Sequence, residues 1–420
     1  MHVLIVGAGV GGLSLAQCLR RQGIPFTIFE RDVDEHSRFQ GWAVALYGVI
    51  IDEMTSSFPS DLPDFRDSTS HLAPLSLPSQ ICMYYSGKEG RIGFEDSSEF
   101  PIVRAERMRL RSWLARNLHI QWGKRATRVE HSHEGVEVHF DDGTSAKGDI
   151  LVGADGVHSI VKKHLLQHAV SSGLNLVPLA TIVGELTLSG DAFKRQLALG
   201  HSGYMYMSQE LGFWSFCGLH RVLEDGVSGR FYWMFLQQDS GVSDQDHWLQ
   251  TASQQKKLGY VLRLTAQLPD RFREIFELTP VSGIREEAHV WRDFDLSKVD
   301  VPAGRIVLLG DAAHTMVPFR GGGALHAILD ALKLSKLLGR LRESRVEGDI
   351  SLANITAAVA EYNAEMIARS SRAVQDARNL QPISTRGDED SLQLPPGAKV
   401  LPERDIVLDI VPRQLHVGGN

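Results

Sequence analysis

The chain has 420 residues, 43% hydrophobic and 23% charged, which is the composition of a globular protein with room for one large core or two smaller ones. A net charge of −7, with no block of five basic residues, argues against a nucleic-acid-binding surface. Cys18, Cys82 and Cys217 lie far apart and no CxxC occurs, so neither a disulfide framework nor a metal site is expected, and the thiols read as reduced.

The chain opens on "HVLIV", a short apolar run of the kind that forms a buried parallel strand. No basic region precedes it, so it does not read as a secretion signal, and no stretch reaches the roughly 18 apolar residues of a membrane span. A cytoplasmic protein is expected. Next comes GxGxxG at Gly7, Gly9 and Gly12, then a helical pattern through Leu15 and Leu19, and a second strand in "PFTIFER" that ends near Glu30. In such a βαβ unit the first glycine allows the tight turn, the second admits a pyrophosphate, and the third lets helix and strand pack closely. The helix start offers unpaired N–H groups to phosphate, and an acid about 20 residues on accepts bonds from a ribose. The pattern predicts dinucleotide binding and leaves FAD and NAD(P) both open.

In "FPIVRAERMRLRSWLARNL", residues 100–118, Leu110, Trp113, Leu114 and Leu118 share a helical face and arginines fill the remainder. Taken alone, this is a solvated basic face. "VEVHF" alternates with period two, and "GDILVGADGVHS" runs from a strand into Gly153-Ala154-Asp155-Gly156, where backbone can approach a ligand. A plain tight turn with Ser159 at a helix start is the other reading.

From about residue 174 to 290, the aromatic runs "GYMYMS", "GFWSFCGLH" and "RFYWMFLQ" predict a second, mostly antiparallel sheet. Period two puts Tyr204 with Tyr206 on one face, and Phe231, Trp233 and Phe235 together on one face of their strand. Tyr204, Tyr206 and His220 are the polar candidates to orient a ring or move a proton. Residues 244–280 read as helical. At "LLGDAAHTMVPFRGGGALHAILDALKL", residues 308–334, a strand ends in Gly310-Asp311 and glycines bare the backbone before a long amphipathic helix, a pattern suited to a bound anion. Past residue 380 the chain is polar and proline-rich, a surface-hugging or mobile tail with a strand candidate at 405–411.

Three motifs, "GAGVGG" with Glu30, "GADGVHS" and "LLGDAAHTMVP", in this order, resemble the class A flavoprotein monooxygenases of the p-hydroxybenzoate hydroxylase fold. The resemblance spans residues 1 to about 375. It implies an α/β protein whose Rossmann-like FAD-binding domain with a parallel sheet covers 1–173 and 291–380. A mostly antiparallel substrate domain would cover 174–290, roofing the substrate cavity, with a tail at 381–420. It also implies non-covalent FAD, reduction by NADPH or NADH, and transfer of one oxygen atom from O2, through a flavin hydroperoxide, to a hydrophobic, aromatic small molecule. Glu30 would hold the adenosine ribose; Ala43 and Arg107 would lie at the flavin, with Arg104 a weaker competitor. Asp155 and Gly156 would serve FAD and the nicotinamide donor, Asp311 a ribityl hydroxyl, and Gly323 and Ala324 the isoalloxazine ring. The helix starting near Ala324 would aim its positive end at the flavin. Leu325 stands in place of the family's asparagine, and Lys162 in place of an arginine. These departures keep a redox-silent flavin-binding protein as an alternative, beside an oxidase or dehydrogenase of the same fold. A halogenase is excluded because WxWxIP is absent.

Overall fold

The computed structural model describes residues 1–39, 41–166, 173–343, 351–378, 397–403 and 406–409. The chain divides into two compact units: 1–69 with 107–175 and 292–380, and 70–106 with 176–291 and 381–420.

The first unit is organised by a five-stranded parallel sheet, in the order Ile306–Leu308, Ile150–Gly153, Val3–Val6, Phe26–Phe29, Ile120–Gln121. The three strands at 3–6, 150–153 and 306–308 are buried along their whole length, which is why they read as continuous apolar runs rather than alternating ones. The Val10–Gln22 helix returns the chain and ends at Gly23, whose left-handed conformation lets its N–H close onto Leu19 and Arg20 carbonyls. This helix packs against the Gly322–Glu343 helix. A three-stranded antiparallel sheet, 126–131, 136–140 and 145–148, belongs to the same unit, and "VEVHF" alternates in burial as its period predicts.

The second unit is built on a seven-stranded sheet in the order Leu179–Ser189, Ser228–Gln238, Phe213–Val222, Gly203–Ser208, Gln80–Tyr85, Ile92–Glu95, Lys399–Val400. All its pairs are antiparallel except 203–208 with 80–85. Helices at 190–198, 254–265 and 270–277 lie on one face and bury Phe193, Val261, Phe272 and Phe276 against it. Period two holds here: Phe231, Trp233 and Phe235 all point into this core, with Tyr204 and Tyr206.

The sequence reading places 70–106 with the first domain, whereas these residues lie in the second unit. The cause is the parallel pairing of Gln80–Tyr85 with Gly203–Ser208, a contact between segments far apart in the chain that no local pattern announces. In the tail, Lys399–Val400 pairs with Ile92–Gly93 and Leu401 is buried. Of the strand candidate at 405–411, residues 406–409 are described and are not in a strand, although Ser76 N donates to Asp409 O at 3.1 Å. The rest of that candidate lies outside the described residues. Among the described residues, no helix is long and apolar enough to cross a membrane.

Candidate functional site

The Val3–Val6 strand ends at Gly7, whose φ of +109° suits only glycine, and a Cβ there would lie 2.3 Å from Ala154 O. A Cβ on Gly12 would sit 2.1 Å from Gly7 O, so helix and strand meet with no room for a side chain. Gly9 differs: no described atom lies within 4 Å of its Cβ position. It heads the Val10–Gln22 helix without a side-chain cap, leaving the positive helix start open.

Glu30 is buried beside this turn. Its carboxylate accepts from Ala8 N at 2.7 Å and from Asp32 N at 3.1 Å. Arg111 braces the same corner: Nε donates to Ala8 O at 3.0 Å, one terminal nitrogen donates to Glu35 O at 2.9 Å, and the other lies 3.8 Å from Glu30 and 3.6 Å from Asp32. The solvated basic helix expected at 100–118 is therefore corrected. The helix is only Arg107–Ala115, Ile102–Glu106 is a strand, and Arg104 and Arg111 are both buried. Carbonyls and carboxylates on other segments draw Arg111 inward, and these are invisible to helical periodicity.

Arg107 N donates to Trp42 O at 3.0 Å, which sets the helix start beside Ala43, the first residue of the Ala43–Tyr47 strand. Burial holds the Arg107 guanidinium below its ordinary range, against the pull of the Asp311 carboxylate. Asp311 opens the short Asp311–His314 helix and is exposed. A Cβ on Gly323 would lie 4.0 Å from Asp311 Oδ1. The long helix begins at Gly322, two residues before the expected start, so Gly323, Ala324 and Leu325 all occupy its first turn.

Asp155 Oδ2 accepts from Ile160 N at 2.7 Å, while its Oδ1 is buried with no hydrogen-bond partner among the described residues. Burial pushes this carboxyl upward. Gly156 has φ +80°. Ser159 caps the Ile160–Leu165 helix by accepting from Lys162 N at 2.8 Å, which is the plain helix-start role. Lys162 Nζ donates to Val157 O at 3.2 Å and lies 4.3 Å from the Phe294 ring centre. Burial lowers Lys162 against the pull of Asp155 and Asp311. Two acids and two bases thus share one electrostatic neighbourhood.

Asp330, which no sequence motif singles out, sits fully buried within the helix's apolar stripe. Its Oδ2 accepts from Gly310 N at 2.8 Å and lies 2.6 Å from His314 Nε2; Oδ1 accepts from Arg369 at 2.7 Å. Arg369 also donates to His326 Nδ1 at 2.8 Å. Burial opposes charge on His314, but the Asp330 carboxylate outweighs it and raises His314 above its ordinary value. Asp330 thereby fixes the Gly310 turn that presents Asp311. An acid inside the stripe Ala327, Ile328, Ala331, Leu334, Leu338 was the available signal.

In the second unit, two of the three polar candidates are corrected. Tyr204 is buried under the helices, its hydroxyl donating to Gln196 at 2.7 Å, and the Tyr206 ring packs 4.7 Å from Phe272. Both point into the core because helices cover that face of the sheet. His220 lies on the opposite face, 3.0 Å from Glu106 Oε1.

The FAD binding domain family model matches residues 1–45 and 90–351. The FAD-dependent monooxygenase thnD of Trichoderma harzianum is 50% identical over 410 residues, spanning 98% of this chain and 100% of that one. This chain belongs to the FAD-dependent monooxygenase family. Two solved relatives share the fold of these class A flavoprotein hydroxylases. Klebsiella pneumoniae HpxO, complexed with FAD and uric acid, has a TM-score of 0.65 at 22% identity and is covered over 87% of its chain by 90% of this one. Pseudomonas aeruginosa PqsL, in complex with 2-aminobenzoylacetate, has a TM-score of 0.67 at 19% identity, with 95% of its chain and 90% of this one covered.

The residues of this monooxygenase fit an FAD. The open helix start at Gly9 suits a pyrophosphate, the exposed Asp311 carboxylate suits a ribityl hydroxyl, and the unpartnered Asp155 oxygen suits a further donor.

Proposed function

We propose that this FAD-dependent monooxygenase takes electrons from NADPH or NADH and inserts one atom of dioxygen into a hydrophobic, aromatic small molecule. One observation carries the reading. Three adjacent parallel strands, 3–6, 150–153 and 306–308, end at the three motifs Gly7–Gly12, Gly153–Gly156 and Gly310–Asp311. Ligands of open α/β sheets bind at the carboxyl ends of the strands, where helix starts and bared backbone converge. Bound FAD would supply the electron transfer and the activation of dioxygen.

The chain's own groups bind and orient. The Gly9 helix start takes the pyrophosphate and Glu30 the adenosine ribose. Asp311 takes a ribityl hydroxyl, and Arg107 with Ala43 positions the ring system. Gly323 and Ala324 bring backbone and the positive end of the Gly322–Glu343 helix toward that ring, favouring negative charge there. Asp155 and Gly156 serve the cofactor and the nicotinamide donor. For the substrate, the sheet face opposite the helices offers Met205, Met207, Trp214 and Phe216, all half-buried. That surface suits an apolar ring, and HpxO was solved in complex with uric acid, a ring compound.

The test is turnover under heavy-oxygen-labelled dioxygen with a substrate found by screening aromatic compounds for stimulated NADPH oxidation. One labelled oxygen atom in the product is expected. Label-free oxygen in the product, or a dehydrogenated product, would show an oxidase or dehydrogenase. Failure of anaerobic NADPH to bleach the flavin, with substrate present, would show a redox-silent protein.

A further inference from the structure

Four arginines are buried among the described residues; the side chains of Arg91, Arg111 and Arg305 each donate to two or more backbone carbonyls, and that of Arg104 donates to none. Arg111 is 4% exposed and meets two carbonyls and two carboxylates; Arg91 is 4% exposed and donates to the carbonyls of Ala198, Leu401 and Pro402. Arg104, on the Ile102–Glu106 strand, is 5% exposed, yet one terminal nitrogen donates to the Tyr232 hydroxyl and its Nε is buried with no hydrogen-bond partner. No carboxylate lies within ion-pair distance of it among the described residues. Tyr232 does not supply the missing charge, because burial pushes its phenol above the ordinary range and keeps it neutral. Glu106, on the same side of the strand, is engaged by His220 at 3.0 Å. A desolvated cation without a counter-charge is costly, and an anion brought to it recovers that cost.

The position of Arg104 says what kind of anion. Its guanidinium lies 5.2 Å from the Phe216 ring centre, and Phe216 and Tyr232 both stand on the sheet face turned away from the helices. That face also carries Met205, Met207 and Trp214. An aromatic ring laid on it has apolar contacts on its flat side and a cation at its rim.

We propose that Arg104 is a substrate-binding residue that pairs with an anionic oxygen on the ring compound, a phenolate, enolate or carboxylate, while Phe216 and the methionines hold the ring. This rests on the reading of that sheet face as the substrate surface. The chemistry is a charge-assisted hydrogen bond from a guanidinium whose position Tyr232 and Phe216 already fix.

The experiment uses FAD-loaded protein and pairs of probes that differ only in acidity: 2-naphthoate against its methyl ester, and 1,3-dihydroxynaphthalene against its dimethyl ether at alkaline pH. Dissociation constants come from quenching of tryptophan fluorescence, with FAD content measured beside them. Wild type is expected to bind the acid of each pair about tenfold or more tightly, the scale of one such bond. Arg104→Met should abolish that preference while binding the neutral member within about twofold of wild type. Arg104→Lys should restore part of it. Tyr232→Phe, which loses the same internal hydrogen bond but keeps the cation, should retain the preference and so separates charge from packing. Equal binding of both members by wild type, or an unchanged preference in Arg104→Met, overturns the proposal. If FAD is retained and neither member of any pair binds, the sheet face is not the substrate surface and the proposal falls with it. If FAD is not retained at all, it is the flavoenzyme reading that fails.

Discussion

Glu30 and Asp311 are both carboxylates near strand ends, but they stand in different surroundings. Glu30 is buried and already accepts from two backbone amides, so its removal strips the glycine turn as well as any ribose contact. Asp311 is exposed, and Asp311→Ala should leave the apoprotein's melting temperature nearly unchanged. FAD affinity should fall by about ten- to a hundredfold, the worth of a hydrogen bond of roughly 1.5–3 kcal/mol. Fluorescence titration of apoprotein with FAD measures this, and unaltered affinity would remove Asp311 from the cofactor site. The glycines give a second contrast. Gly12→Ala places a Cβ 2.1 Å from a backbone oxygen, which a side-chain rotation cannot relieve. It should cost about 1–3 kcal/mol or more in urea unfolding. Gly9→Ala meets no described atom within 4 Å. It should unfold like wild type and lose FAD affinity, because its methyl group enters the space assigned to the pyrophosphate. Equal effects of the two on unfolding would refute this division of roles.

At the scale of elements, the Gly322–Glu343 helix does two jobs through one buried acid. Asp330 ties it to the Gly310 turn and to Arg369 on the Leu352–Arg378 helix. Asp330→Asn leaves the paired cations uncompensated and should destabilise the protein by about 3–5 kcal/mol in urea unfolding. The pH dependence has a sign that follows from His326. Burial, with Arg369 beside it, lowers His326 from its ordinary 6.5 to about 4. Between those values the unfolded chain binds a proton that the folded one refuses, so stability drops as pH falls from 6.5 toward 4. His314 acts oppositely: raised by Asp330, its contribution is full below its ordinary value and is lost as pH rises through the raised one. Melting temperatures of His326→Gln across the acid range should show a shallower decline than wild type. A decline as steep as wild type would place the acid sensitivity elsewhere.

The molecule as a whole is assembled from interleaved stretches of chain. The parallel sheet of the first unit takes its edge strand, Ile306–Leu308, from beyond the whole of the second unit's main segment. A fragment of residues 1–175 therefore contains "GAGVGG" and "GADG" but lacks that strand, Asp311 and the long helix against which Val10–Gln22 packs. Such a fragment should neither unfold cooperatively nor retain FAD, as circular dichroism and a flavin spectrum after gel filtration would show. A folded, yellow fragment would mean that the first βαβ unit suffices by itself. The folding order follows from the same topology, since strands that pair across more than a hundred residues close only after large loops have lost their freedom.

The features readable from the residues alone were local ones. The βαβ unit, the motif glycines, Glu30, the GADG turn and the Gly310-Asp311 strand end were legible because each depends on a few neighbouring residues and on backbone conformation that only certain side chains permit. The faces of the aromatic strands were legible too, since alternation is a property of any strand. Tertiary structure alone decided which face was which: the helices cover Tyr204, Tyr206 and Trp233, and leave Phe216, Tyr232 and His220 on the other side. It alone moved residues 70–106 into the second unit, through a parallel pairing with no turn to announce it. It also turned a run of arginines that reads as a solvated face into three separate roles, with Arg104, Arg107 and Arg111 each meeting different partners. Charge patterns fix how many cations a segment carries, but the partner that makes one worth burying comes from elsewhere in the chain, and only folding brings it there.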